Sequence, residues 1–209
     1  MPDLSQVQPT AFNCQGGLVL NRSTFMMQPG EALELQNFEP DIEGGYRRIN
    51  GFSKYVSAVV PQTSSASEKV LMVATFGDLV VAARGEKIFS ATAGGSSWTE
   101  RDTGRTSAGT YAFERYNFDG NDKLIVVDGA NAPTFFNSAM SATDVSNSDV
   151  AGSKFVTAFK SHMFYAGKSS TPQTLVFSQP FDEDAFSSGS GAGSIKVDDV
   201  ITGLKVFRD

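Results

Sequence analysis

The chain has 209 residues, is 40% hydrophobic, and carries a formal net charge of −6 from 17 basic and 23 acidic side chains. That acidic balance argues against a chain-wide electrostatic grip on nucleic acid, no run approaches the roughly 20 apolar residues of a membrane helix, and lone Cys14 excludes an intrachain disulfide framework. Aromatic content rests on 17 Phe against one Trp, and 20 Gly supply turns, a strand-rich composition long enough for one sizeable core or two small ones.

The opening Met1-Pro-Asp-Leu-Ser-Gln has neither the basic region nor the apolar stretch of a secretory leader. A single thiol suits a protein made in a reducing cytoplasm. Cys14-Gln-Gly-Gly-Leu-Val-Leu20 leads into Pro29-Gly-Glu-Ala-Leu-Glu-Leu-Gln-Asn37, then Gly44-Gly-Tyr-Arg-Arg-Ile-Asn-Gly-Phe52. Pro29 fixes φ and Gly30 tolerates positive φ, a turn signal ahead of Ala32, Leu33 and Leu35. Ala32 to Asn37 reads as a short strand or one helical turn. Gly44-Gly45 reverses the chain, after which Tyr46 and Ile49 pack while Arg47 and Arg48 project outward. Neighbours in a strand face opposite sides, so only one of the two Arg need meet a carboxylate or phosphate partner; the plainer reading leaves both solvated or ion-paired within the chain. Pro61-Gln-Thr-Ser-Ser-Ala-Ser67 has the composition of an exposed linker. Residues 1–67 are therefore read as an N-terminal arm and linker, and 68–209 as a repeat region.

In the repeat region Phe76-Gly-Asp-Leu-Val-Val-Ala-Ala-Arg-Gly85, Phe118-Asp-Gly-Asn-Asp-Lys-Leu-Ile-Val-Val-Asp-Gly129 and Phe159-Lys-Ser-His-Met-Phe-Tyr-Ala-Gly167 share one grammar. Each is an aromatic strand end, a short polar turn, and bulky apolar residues running into a small residue or Gly. Phe207-Arg-Asp209 opens in the same way, and the Phe-to-Phe intervals are 42, 41 and 48 residues. A second apolar strand follows each Gly, at Lys87–Ala91, Pro133–Asn137 and Thr174–Ser178. A period in the forties with several short strands per unit is the signature of propeller blades. The expected fold is all-β: three and a fraction β-propeller-like blades, at about 68–110, 111–150, 151–194 and 195–209, preceded by the arm. Closed propellers have roughly four to eight blades, so the chain is expected to be part of a longer protein or to be completed by a partner. Phe186-Ser-Ser-Gly-Ser-Gly-Ala-Gly-Ser194 is expected to be an elongated loop between the last two units.

The arm motifs Gly16-Gly17-Leu18, Pro29-Gly30-Glu31-Ala32, Asn37-Phe38, Gly45-Tyr46-Arg47-Arg48 and Gly51-Phe52 resemble the N-terminus of virion structural proteins from tailed bacteriophages. These are similar to tail-stabilisation, nozzle or neck components. Over roughly residues 15–55 the resemblance is in motifs; beyond that it is architectural. It implies a structural protein of the virion tail or neck, assembled in the host cytoplasm. Its implied partners are copies of itself in a ring and neighbouring tail or neck proteins, without specific nucleic-acid binding, although DNA passes along the channel. Gly16, Gly17, Pro29, Gly30, Glu31, Asn37, Gly45, Tyr46, Arg47, Arg48 and Gly51 are then the interface motif.

Enzymatic signals are weak by comparison. Ala91-Thr-Ala-Gly-Gly-Ser-Ser-Trp98 looks like the hairpin box of sialidase-type propellers, but Ala93 stands where its Asp belongs. His162, the single histidine, reads as an exposed turn residue with no Gly-x-Ser-x-Gly elbow to serve and no second His or Cys beside it. Asp119-Gly-Asn-Asp122 reads as a hairpin turn. Phe181-Asp-Glu-Asp-Ala-Phe186 reads as an acidic loop anchored by its aromatics, rather than the paired carboxylates of glycoside hydrolysis or a Ca²⁺ site. No phosphate-binding glycine motif is present. The expectation is no enzyme activity, metal or cofactor; the competing reading is a carbohydrate-binding or glycan-cleaving propeller.

Overall fold

The computed structural model describes residues 16–64, 68–107 and 109–207. Cys14, Ser65 to Ser67 of the linker and Arg208-Asp209 of the last motif lie outside the described residues. The chain divides into two compact units, Met1–Ser53 and Lys54–Asp209.

The first unit holds two small strand pairs. β1 (Gly17–Leu18) lies parallel to β2 (Glu31–Ala32), and β3 (Phe38–Pro40) is antiparallel to β4 (Tyr46–Arg48). Thus the segment from Ala32 begins in a strand rather than in a helical turn. Both Gly44 and Gly45 have positive φ, which produces the expected reversal between β3 and β4.

The second unit is three four-stranded antiparallel meanders in chain order. The first contains β5 (Val70–Phe76), β6 (Leu79–Arg84), β7 (Lys87–Thr92) and β8 (Thr99–Asp102). The second contains β9 (Ala112–Tyr116), β10 (Lys123–Val127), β11 (Thr134–Phe136) and β12 (Ala142–Asp144), and the third β13 (Phe155–Phe159), β14 (His162–Ala166), β15 (Thr174–Phe177) and β16 (Gly193–Lys196). The aromatic residue of the sequence grammar closes the first strand at Phe76 and Phe159, and the apolar run after it is the second strand. In the middle unit Tyr116 ends the strand and Phe118 follows in the turn, its ring against Tyr116 at a centroid distance of 4.8 Å.

The second strands β6 and β10 are apolar on both sides because both sides are covered. Leu124 and Val126 of β10 join Met72, Ala74, Phe76, Val81, Ala83 and Ile88 of the first sheet in one core cluster. Ile125 and Val127, on the opposite side of β10, join Val156, Met163 and Tyr165 of the third sheet in another. Each fully buried Val, Leu or Ile there contributes on the order of 1.5–3 kcal/mol. The outer side of the first sheet is covered by the chain's own approach to it, with Val56 and Ala58 against Val80, Ala91 and Trp98, and the Trp98 indole N–H donating to the Ala58 carbonyl at 3.0 Å.

Three expectations are corrected. The Gly- and Ser-rich stretch 186–194 connects β15 to β16 inside the third sheet and does not separate two units, because Leu175 pairs with Ile195 and Phe177 with Gly193. Residues 195–196 accordingly complete the third sheet and do not open a fourth. His162 is the first residue of β14, half-buried, with Nδ1 2.6 Å from the Ser178 carbonyl and its ring edge-on to Phe177. The hairpin before it turns on Lys160 and Ser161, both at positive φ. None of the sheets closes on itself.

Candidate functional site

The interface motif of the arm assembles around the Tyr46 hydroxyl. It lies 3.0 Å from the Gly17 carbonyl and 2.7 Å from the Gly30 carbonyl, so one phenol spans both strands of the parallel pair. Glu31 fixes the turn below: one carboxylate oxygen accepts from the Gln28 amide at 2.8 Å and the other from Arg22 Nη1 at 3.0 Å. Gly16 is dictated by space, since a Cβ there would sit 2.4 Å from Glu31 Cγ and 2.9 Å from its backbone. Gly17 and Gly30 are at positive φ, and Pro29 precedes the latter as a turn requires. Asn37 also has positive φ, and its carbonyl accepts from the Ile49 amide at 3.1 Å.

Arg47 and Arg48 separate as strand geometry demands. Arg47 reaches across the hairpin to Glu39 at 2.8 Å. Arg48 makes no ion pair among the described residues and borders a shallow basin with Asn37, Ile49, Asn50, Gly51 and Phe52. Gly51 has open space where a Cβ would stand, so no steric demand explains it. Ile49 is exposed and does not pack as expected. The structure thus brings Gly16, Gly17, Gly30, Glu31 and Tyr46 into one hydrogen-bonded knot, while Arg48 and Gly51 stay on an open surface.

No residue of this unit from 16 to 53 is buried. Leu20, Phe25, Met26, Ile42 and Phe52 are each more than 70% exposed.

Several charged groups of the second unit are engaged within the fold. Arg105 follows β8, almost wholly buried; its Nε meets Asp102 at 2.6 Å, and its terminal nitrogens meet Asp128 at 3.4 Å, the Ala132 carbonyl at 2.9 Å and the Thr134 hydroxyl. Burial opposes its charge, yet Asp102, then Asp128 and Asp144, outweigh that and raise its pKa further. Burial likewise pushes the Asp128 carboxyl upward, but donors from Asn131 and Ala130 hold it below the usual carboxylate range. Asp128 and burial push the Tyr111 phenol up to about 12, burial contributing most.

Within the acidic loop, Glu183 is buried and pairs with Lys123 at 2.7 Å, while its backbone carbonyl accepts from the Tyr165 hydroxyl at 3.0 Å. Asp184 accepts from the Ser146 amide at 2.8 Å. Phe186 packs against Tyr165, whereas Phe181 is exposed, so aromatics anchor one end of this loop and not both. These acids therefore organise the join between the second and third sheets. No three His, Cys, Asp or Glu side chains gather at metal-binding distance among the described residues.

No family model matches the chain, and no curated protein is significantly similar to it. Function must be argued from the arm and sheets themselves. Sequence reasoning missed Arg105, which stands outside the repeated motif; the signal available was an Arg three residues after the acid that ends β8.

Proposed function

We propose that the chain is a non-enzymatic structural component of a tailed-phage virion, in the tail or the head-to-tail connector, that assembles through its arm. The observation carrying this reading is an arm with ordered strand pairs and a hydrogen-bonded knot but no buried residue from 16 to 53. Such a segment gains its apolar burial on a partner. Its motifs are also the ones that resemble phage virion proteins.

The stacked meanders support a propeller-like wall. Successive first strands approach one another, β5 with β9 and β9 with β13, as blades do around an inner axis. In this reading the sheets are rigid blades and the arm is a clasp on a neighbouring subunit. A head-to-tail contact of that kind closes into a ring when its rotation permits, and a net charge of −6 keeps DNA moving freely past the wall.

Electron microscopy of the particle containing the protein tests the proposal. Axial rings at the neck or tail, with residues 16–53 at the subunit contact, are the expected result. A free monomer that binds saturably on a glycan array would overturn it in favour of a carbohydrate-binding role.

A further inference from the structure

β8 is the outer strand of the first sheet, and its ladder is irregular at one residue. Ser90 of β7 pairs with Thr99 and Phe89 with Glu100, but Ile88 pairs with Asp102, so Arg101 is the extra residue of a bulge. A bulge re-aims a side chain. Here the guanidinium of Arg101 lies on the face that carries Ser90, and its Nε donates to the Ser90 hydroxyl at 2.8 Å. Ser90 is itself buried, which holds that contact in place. The two acids beside Arg101 are engaged elsewhere, Glu100 with Lys87 at 2.6 Å and Asp102 with Arg105 at 2.6 Å. Arg101 is half-buried and makes no ion pair among the described residues.

Arg101 lines a cleft of about 300 Å³ with Ser90, Thr92, Ser96, Ser97 and Thr99, and no acidic residue of the described chain lines it. Thr92 pairs with Leu79 and follows Ser90 by two residues, so all three share one face and Leu79 gives the cleft an apolar wall. The turn that carries the serines is pinned from behind. The Gly94 amide donates to the Tyr55 carbonyl at 2.7 Å, the Gly95 carbonyl accepts from the Ser57 amide at 3.0 Å and hydroxyl at 3.2 Å, and the Gly95 amide closes on the Thr92 carbonyl at 3.0 Å. The Ser96 and Ser97 amides make no backbone hydrogen bond among the described residues. A cation without a carboxylate, set among hydroxyls and unused amides, is the donor set that recognises an oxyanion.

We propose that this cleft binds the phosphate or sulfate group of a small ester, with Arg101 and the Ser96-Ser97 amides meeting the anion's oxygens and Leu79 meeting the carbon side. Several donors around one guanidinium match the acceptor oxygens of a tetrahedral ester better than the two oxygens of a carboxylate. The Ser90 contact fixes the fork before the ligand arrives, which lowers the ordering cost of binding. The inference stands on the first sheet alone and is separate from the virion reading.

Glucose 6-phosphate, glucose 6-sulfate and glucose are the probes, titrated into the full chain and followed by amide resonances. Saturable shifts at Ser96, Ser97 and Thr99 with an ester, and none with glucose, are expected; the tighter ester identifies which group the cleft takes. Arg101→Gln should weaken binding at least about tenfold. It should leave the urea midpoint unchanged, because it strands no acid, and so a loss of binding is not a loss of fold. Arg101→Lys should recover only part of the affinity, since an ammonium cannot present the guanidinium's fork. No saturable binding of either ester below about 10 mM, glucose binding as tightly as its esters, or unchanged binding in Arg101→Gln would each overturn the proposal.

Discussion

Replacing Arg105 with Met keeps an unbranched apolar stem but removes the guanidinium and its charge from the join between the first two sheets. Asp102 loses its 2.6 Å partner, and Asp128, whose side chain is fully buried, loses the 3.4 Å contact. Removing one member of a buried ion pair costs about 3–5 kcal/mol. The low end applies, because Asp128 keeps its donors from Ala130 and Asn131 and Asp144 is 67% exposed. A loss of about 3 kcal/mol with a urea slope near 2 kcal/mol per M lowers the unfolding midpoint by about 1.5 M. Fluorescence of Trp98, packed on the first sheet, reports the transition. Adding Asp102→Asn should recover part of the loss by removing the stranded acid. A midpoint shift below about 0.3 M would refute the assignment of Arg105 as the charge that holds this join.

Glu68 accepts from the Ser64 hydroxyl and the Thr63 amide, among other donors, and these hold its carboxyl at about 2, well below its ordinary 4.5. Because the folded value is the lower one, its stabilisation is present above pH 4.5 and is lost as pH falls toward 2; Glu68→Gln should flatten acid unfolding in that window. Spectrophotometric titration should find Tyr111 ionising only near pH 12, and Tyr111→Phe should remove that step. Gly16→Ala, which forces a 2.4 Å contact with Glu31, should expose residues 16–53 to limited proteolysis while the urea midpoint of the second unit stays unchanged. In assembly assays Arg48→Glu should block subunit association, whereas Arg47→Gln, which breaks only the exposed pair with Glu39, should change it by less than about 1 kcal/mol.

The meanders were legible because each repeats a local rule. A closing aromatic, a polar turn and an apolar run specify a hairpin, and runs apolar at every position, such as Leu124 to Val127, announce burial on both sides. The third sheet's last strand was not legible: Gly193 to Lys196 is short and follows a Ser- and Gly-rich stretch, so its membership depends on pairing with β15 across a long connection. Glu183 reads from sequence as part of an acidic loop anchored by its flanking aromatics, and its own burial is not signalled there, since acids are ordinarily exposed. Its burial rests on Lys123, sixty residues away in sequence, which no local pattern encodes. Gly16 and Tyr46 appeared as motif residues, but their shared role emerged only once β1 and β2 were seen to lie parallel.

The two joins between sheets follow one physical plan. Apolar faces drive the stacking, but hydrophobic burial is non-directional and tolerates sliding. Each join also carries a buried charge pair that tolerates little displacement, Arg105 with Asp128 at the first and Lys123 with Glu183 at the second. Because a buried pair adds little net stability, its effect is to select one offset between sheets that apolar contact alone would leave loose. The arm is built the opposite way, with its hydrogen bonds satisfied locally by Tyr46 and Glu31 and its apolar side chains left outward. Under the proposed function, the sheets serve as the wall and the arm completes its burial on a neighbouring subunit, a division of labour suited to assembly.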